Sequence, residues 1–230
     1  MDNCLAIITA RGGSKRIPKK NIKLFLGEPI LNYSIKAALD SKLFNEVMVS
    51  TDNAEIAEIG KSAGAKVPFM RSEENSNDFA VTAKVILEVI QDYINLGIHF
   101  KYVCCIYPTA PFVTASKLQN AFNMLETSQA DGVFPVSEFS FPILRSLSIN
   151  EKSKLSFNWP EHELTRSQDL EKAYQDSGQF YFLRVGTFLE NPRLVSKNTL
   201  GLVVSNIEVQ DIDNEEDWKL AEIKYGFLNN

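Results

Sequence analysis

The sequence predicts an α/β protein built on a mostly parallel sheet covered by helices. Three observations predict it: short continuous apolar runs, longer segments with helical spacing between them, and alternation of the two at the pitch of βαβ units. The first run, residues 5–10, stops at Arg11-Gly12-Gly13 and has the pattern of a strand buried on both faces. Residues 46–51, 102–107 and 132–136 repeat that pattern. Residues 30–39, 54–63, 80–94 and 115–125 carry apolar side chains three and four apart, which makes them the intervening helices. From about residue 139 the rhythm changes. Residues 140–182 hold two prolines and a charged stretch from Glu161 to Asp176, and the polar turn Asn150-Glu151-Lys152-Ser153 is flanked by the alternating segments LRSLSI and KLSFNW. A β-hairpin and loop insertion lying off the main sheet is expected there. The parallel pattern is expected to resume at 178–185 and 202–204, with a strand-like stretch at 206–212 and a last helix over about 215–225.

Composition narrows the function. The chain has 230 residues, with 24 Lys and Arg against 29 Asp and Glu, for a formal charge of -5. A protein whose work is neutralising nucleic-acid phosphates or lying on an anionic membrane needs a basic surface, so neither partner is expected. Hydrophobic residues make up 44% of the chain, with 15 Phe and 7 Tyr, enough for a sizeable core and too much for a disordered chain. The length fits one domain over 1–230 that contains the 140–182 insertion. Cys4, Cys104 and Cys105 cannot build a disulfide framework, which fits a reducing compartment. Met1-Asp2-Asn3 lacks the basic start of a signal peptide, and no apolar run approaches the ~18 residues of a membrane span. A cytoplasmic location is the expectation.

Six of the basic residues lie between positions 11 and 23: Arg11, Lys15, Arg16, Lys19, Lys20 and Lys23. A solvated charge run is the ordinary reading of such a cluster. Its context argues otherwise, because the segment leaves the carboxyl end of a buried strand, where open α/β sheets bind ligands. Gly12-Gly13 lets the backbone come close to a ligand, and Pro18 stiffens the loop. Amides and cations converging there would suit a triphosphate. Neither a Walker A motif nor a G-x-G-x-x-G fingerprint is present, so kinase and dehydrogenase readings lose their main support.

Near the other end lies Gln210-Asp211-Ile212-Asp213. On an extended backbone Asp211 and Asp213 face the same way and could share one cation such as magnesium, which takes one or two carboxylates plus phosphate oxygens. Asp213 followed by Glu216 also fits an N-cap and capping box, and spacing leaves both readings open. The neighbouring Cys104 and Cys105 point to opposite faces of a strand and so cannot chelate one metal together. The two histidines, His99 and His162, accompany no hydrolase motif. Tyr107-Pro108-Thr109-Ala110-Pro111 makes a rigid loop at the same sheet edge as the basic loop, where Thr109 could meet a ligand.

Taken together, AIITARGGSKRIPKKN at 6–21, VSTDN at 49–53, RSEENSNDFAVT at 71–82, YPTAPF at 107–112 and QDIDNEEDW at 210–218 resemble the sugar-acid cytidylyltransferases, the family of CMP-sialic acid synthetases and 3-deoxy-octulosonate cytidylyltransferases. The resemblance covers nearly the whole chain. It implies a three-layer, Rossmann-like nucleotide-diphospho-sugar transferase fold whose β-hairpin insertion packs across a homodimer. It implies CTP and a nine-carbon sugar acid as substrates, magnesium as cofactor, and a product used to glycosylate flagellin and other surface structures. Arg16 in SKRIP, the string CCIYPTAPF and TRSQDLEKAYQDSGQFYF at 165–182 point to the pseudaminic acid branch of the family. Tyr107, where sialic acid synthetases carry Gln, argues against sialic acid as the acceptor. By the same resemblance Arg11, Gly12, Gly13, Ser14, Lys15, Lys20 and Asn21 hold the CTP phosphates, with Lys20, Lys15, Arg11 and Asp211 taking part in the transfer. Arg71, Ala80 and Thr82 lie by the cytosine and ribose, while Tyr107, Arg166, Gln179 and Tyr181 face the sugar acid. Asp211 and Asp213 hold magnesium.

Overall fold

The computed structural model describes residues 3–77 and 80–229; Met1 and Asp2 of the opening segment, and Asp78 and Phe79 of the RSEENSNDFAVT motif, lie outside them. Eleven strands occur among the described residues: β1 (Cys4–Thr9), β2 (Leu24–Phe25), β3 (Glu28–Pro29), β4 (Glu46–Ser50), β5 (Tyr102–Ile106), β6 (Gly132–Glu138), β7 (Leu147–Ile149), β8 (Leu155–Phe157), β9 (Tyr174–Asp176), β10 (Phe180–Arg184) and β11 (Thr199–Val203). The helices are α1 (Ile30–Ser41), α2 (Ala54–Ser62), α3 (Thr82–Asn95), α4 (Ala115–Glu126), α5 (Val185–Glu190) and α6 (Glu215–Asn229). Side-chain caps explain two of the starts. Asn53 accepts from the Ile56 amide at α2, and Thr114 accepts from the Lys117 amide at α4.

The main sheet runs β11-β6-β10-β5-β1-β4, with β9 paired to β6 at one end. β1 pairs in parallel with β4 and β5, and β11 in parallel with β6, as the alternation of runs predicts. β10 departs from the expectation for residues 178–185. It lies between β5 and β6 and is antiparallel to both. A parallel return requires a crossover that carries the chain back to the opposite end of the sheet. Between β6 and β10 the chain forms no α-helix and returns through β9, which is itself antiparallel to β6. The β7–β8 hairpin forms as expected, as a separate two-stranded sheet. Its turn is held by Asn150 Oδ1, which accepts from the Lys152 and Lys154 amides.

The sheet is covered on both faces. From β1, Cys4, Ala6 and Ile8 pack with Leu31 and Ile35 of α1 and Leu118 and Leu125 of α4. The alternate residues Leu5 and Ile7 pack with Ile86, Val89 and Ile90 of α3 and Phe188 of α5. Cys104 and Cys105 divide between these two layers, both buried, and burial pushes the Cys105 thiol up to about 12. A third cluster lies at the edge where the loops gather: Ile17, Phe25, Ile30, Phe112, Ile212, Trp218 and Ala221. Phe25 meets Tyr33, Trp218 and Tyr225 edge-on at 5.3, 5.7 and 5.6 Å. This cluster joins the basic loop, the proline loop and the acidic segment through one side chain from each.

Residues 206–212 do not form the expected strand. Asn206–Glu208 is a 3-10 turn closed by a capping box between Ser205 and Glu208, so local side-chain bonds compete successfully with strand pairing just past β11. No helix among the described residues is long and apolar enough to cross a membrane.

Candidate active site

The basic loop leaves β1 and folds over a cavity of about 240 Å³ lined by Arg11, Ser14, Lys15, Arg16, Lys20 and Asn21 on one side and by Arg71, Thr82, Tyr107 and Thr109 on the other. Asn21 is buried and its amide donates to the Arg11 carbonyl at 2.8 Å, tying the two ends of the loop together. Lys19 sits at φ 52, a left-handed conformation that costs a residue with a Cβ and reverses the chain just before Lys20. The six cations then separate by role. Lys19 pairs with Glu55 at 2.7 Å, and Lys23 pairs with Glu215 at 2.6 Å and covers the Trp218 ring at 4.5 Å. These two brace the loop. Arg11, Lys15, Arg16 and Lys20 line the cavity.

The two glycines act differently from the sequence expectation. Neither lines this cavity. The Gly12 amide donates to Asp52 at 2.7 Å, and a Cβ on Gly12 would meet the Asn53 Cβ at 3.0 Å. Gly12 therefore lets the loop pack against the turn after β4, with its amide already engaged. Around Gly13 a Cβ would meet nothing within 4 Å.

The acidic segment faces the loop. Ile212 is buried in the third cluster, so on either side of it Asp211 and Asp213 turn away from that core. Asp213 accepts an ion pair from Arg16 at 2.5 Å and a longer one from Lys20 at 3.9 Å. Lys20 also donates to the Ile212 carbonyl at 2.6 Å. Burial holds the Lys20 ammonium below its ordinary value, against the pull of Asp213 and Asp211. The Asp211 carboxyl is raised, first by partial burial and then by the nearby Asp213 charge. The capping alternative for Asp213 does not hold. Asn214 caps α6 by accepting from the Glu216 and Asp217 amides, and Asp217 reaches back to accept from the Asp213 and Asn214 amides. The box thus sits one residue later and leaves both Asp211 and Asp213 carboxylates outside it.

The donor set suits magnesium. Asp211 and Asp213 are neighbouring carboxylates whose mutual repulsion Lys20 and Arg16 offset only in part, and they stand against a cation-lined loop where bound phosphate oxygens would complete the coordination. Among the described residues no group of three or more His, Cys, Asp or Glu could hold a metal by itself, so any ion here would depend on such ligand oxygens.

On the far wall, Arg71 is buried, bonded through its guanidinium to the hydroxyl and carbonyl of Ser50. Burial lowers its pKa, partly offset by Asp52. Thr82 and Tyr107 hydroxyls are 3.2 Å apart, and the Tyr107 and Tyr181 rings meet at 5.7 Å. Tyr181 in turn donates to Asp176, which lines a second cavity of about 590 Å³ together with Ser177, Gln210, Asp211 and Lys224. A chain of hydroxyls therefore runs from the first cavity to the second, and Asp211 stands on the wall of the second while Lys20, bonded to its neighbours, lines the first.

Most of the candidates meet here: Arg11, Ser14, Lys15, Lys20, Asn21, Arg71, Ala80, Thr82, Tyr107 and Thr109 share one cavity. Gln179 lies beneath, buried, with its amide donating to the Glu208 carbonyl at 2.7 Å; Glu208 in turn pairs with the buried Lys117 at 2.8 Å. Gly12, Gly13, Asp213, Gln179 and Tyr181 line neither cavity but adjoin residues that do, whereas Arg166 lies apart. It is exposed on the insertion, paired with Asp169 at 2.7 Å, and lines neither cavity. Asp52, Asn75, Asp176, Ser177 and Lys224 are site residues that sequence reasoning did not select. Asp52, Asn75, Asp176 and Ser177 stand inside the motifs that carry the family resemblance, whereas Lys224 is one cation on the last helix with no local signal.

A family model described as cytidylyltransferase matches residues 5–203. The pseudaminic acid cytidylyltransferase of Campylobacter jejuni subsp. jejuni is 39% identical over 96% of this chain and 95% of its own length. The CMP-N,N'-diacetyllegionaminic acid synthase of Legionella pneumophila is 32% identical over 95% and 94%. Among solved structures, a CMP:2-keto-3-deoxy-manno-octonic acid synthetase complexed with CTP superposes with a TM-score of 0.69 at 16% identity, covering 99% of both chains. That likeness concerns the fold.

Proposed function

Since the chain belongs to the cytidylyltransferase family, we propose that it transfers CMP from CTP to the anomeric hydroxyl of a nine-carbon keto sugar acid, pseudaminic acid foremost. The observation that carries this reading is the Lys20 bridge. One half-buried cation lines the first cavity and is bonded to the acidic segment whose Asp211 lines the second, so a nucleotide in the first and an acceptor in the second would meet at that segment.

The anomeric oxygen attacks the α-phosphorus of CTP, the bond to the bridging oxygen breaks on the opposite side, and pyrophosphate and a proton are released. The protein's share in such a transfer is positioning and charge stabilisation. Arg11, Lys15 and Lys20 offset charge on the α-phosphate and on the departing pyrophosphate. Arg71 and Thr82 hold the nucleoside end, and Thr109 lies on the same wall. Asp211 and Asp213 would hold magnesium, which would draw charge from the α-phosphate and acidify the attacking hydroxyl. Tyr107 and Tyr181 orient the acceptor side through their linked hydroxyls. The hairpin insertion pairs two copies of the chain, and Arg166 on that insertion serves the partner's acceptor cavity.

The neighbouring reading is a synthetase for CMP-legionaminic or CMP-N-acetylneuraminic acid, since relatives named for those products are 32% identical. One assay separates them: pyrophosphate release from CTP and magnesium with pseudaminic, legionaminic and N-acetylneuraminic acids in parallel. The expected result is the highest kcat/KM with pseudaminic acid. Preference for another acid would reassign the acceptor, and no release with any of them would remove the activity.

A further inference from the structure

The second cavity contains a charge arrangement that the transfer reaction does not by itself explain. Its wall carries two carboxylates, Asp176 and Asp211, and among the described residues that line it the one cation is Lys224. Even with magnesium on Asp211, an acceptor that is itself an anion meets the Asp176 carboxylate in this cavity unless a positive group receives it. Lys224 comes from α6, three residues beyond the buried Ala221 and beside the aromatic cluster at Tyr225. Its ammonium donates to the Val209 carbonyl at 2.8 Å and to Gln210 Oε1 at 3.0 Å. An ammonium has three N–H donors, so one remains for a ligand. The Gln210 amide then donates to the Asp211 carbonyl at 3.0 Å, which ties the position of Lys224 to that of Asp211. On the same wall the Ser177 hydroxyl is buried, only 3% exposed, and has no hydrogen-bond partner among the described residues. A buried hydroxyl left without a partner on a cavity wall points to a polar ligand.

We infer that Lys224 anchors the carboxylate of the acceptor sugar acid, with the Ser177 hydroxyl as a further hydrogen-bond partner in the same cavity. The inference rests on the acceptor class proposed above. Its chemical sense lies in the acceptor itself. In the cyclic form of a 2-keto acid, the carboxylate and the attacking hydroxyl are attached to the same carbon. A cation that grips the carboxylate while tethered through Gln210 to Asp211 therefore sets the hydroxyl beside Asp211. Lys224 in this role is a specificity and positioning residue: a neutral keto sugar lacks the group it holds.

The test uses the whole chain with saturating CTP and magnesium, with pseudaminic acid and its C1 methyl ester as acceptors. In the native protein the ester should show a KM ~10-fold or more above that of the acid, the scale of a charge-assisted contact. Lys224→Met should raise the KM for the acid by a similar factor, leave the KM for CTP unchanged, and abolish the discrimination between acid and ester. Lys224→Arg should restore most of both. Undiminished discrimination in Lys224→Met would show that another group holds the carboxylate and overturn the inference. So would a variant that alters the CTP and magnesium dependence while the acceptor KM stays put, since Lys224 would then only brace Gln210 and Asp211. Failure of the native protein to use any sugar acid is visible before a variant is made and would remove the functional reading, and this inference with it.

Discussion

Lys20 and Asp211 show how single side chains are set for phosphate chemistry. Lys20 is one residue past a left-handed backbone turn and is drawn inward by the Ile212 carbonyl, so its ammonium is partly desolvated yet faces two carboxylates. A cation fixed in that way stabilises charge that grows during the reaction without first reorganising. Lys20→Ala is expected to lower kcat by ~100-fold or more with little change in the KM for CTP. A rise in that KM at unchanged kcat would make Lys20 a ground-state binding group instead. Asp211 lies outside the capping box and contributes little to the packing around it, so Asp211→Ala should abolish turnover at saturating magnesium while circular dichroism and melting temperature remain close to native. Retained turnover would end the magnesium assignment. The residues around this pair were legible to different degrees. Asp211 and Asp213 stand out because the i, i+2 spacing in an extended segment has a direct geometric meaning. The engagement of the Gly12 amide by Asp52 did not, because that bond joins positions forty apart.

At the level of elements, the third cluster does for the loops what the sheet does for the strands. Phe25 comes from the β2–β3 hairpin, Trp218 and Tyr225 from α6, Phe112 from the proline loop, Ile17 from the basic loop and Ile212 from the acidic segment. Removing a large ring from its centre should therefore loosen the site as well as the fold. Trp218→Ala is expected to cost about 3–5 kcal/mol, the usual range for truncating a buried aromatic side chain. Lys23 also loses its aromatic platform in that variant. Chemical denaturation measures the loss, and a change under ~1 kcal/mol would show that the cluster is dispensable. The element boundaries follow similar logic. Helix α2 could be placed from sequence by its apolar spacing, and its Asn53 cap is equally local, while the direction of β10 depended on where the insertion delivers the chain, which no window of sequence contains.

The whole molecule combines an acidic total charge with a local concentration of cations over one cavity. It also leaves an apolar insertion exposed: Phe141 is 84%, Ile149 67%, Leu155 65% and Leu164 94% accessible. Such exposed side chains on the β7–β8 hairpin and the segments flanking it fit a surface that pairs two copies. Light scattering at micromolar concentration should therefore give a dimer mass near twice the 25.9 kDa chain, and the double change Ile149→Asp, Leu155→Asp should give the monomer. A native monomer under those conditions would overturn the pairing and, with it, the role given to Arg166 across the interface.

What the sequence determined by itself was set at short range, although two local caps, the Ser205–Glu208 box and the Asn214 cap of α6, escaped it. Continuous apolar runs specified strands buried on both faces, helical spacing specified the covering helices, and the loop after β1 declared its charge and its rigidity. Tertiary structure alone decided which of the six cations look into the cavity and which brace the loop against Glu55 and Glu215. It also decided that β10 runs against its neighbours, and that Lys224 stands on the same wall as Asp211. The physical reason is separation along the chain: a side chain's neighbours at distant positions are chosen by how the layers pack, and no local propensity encodes that choice.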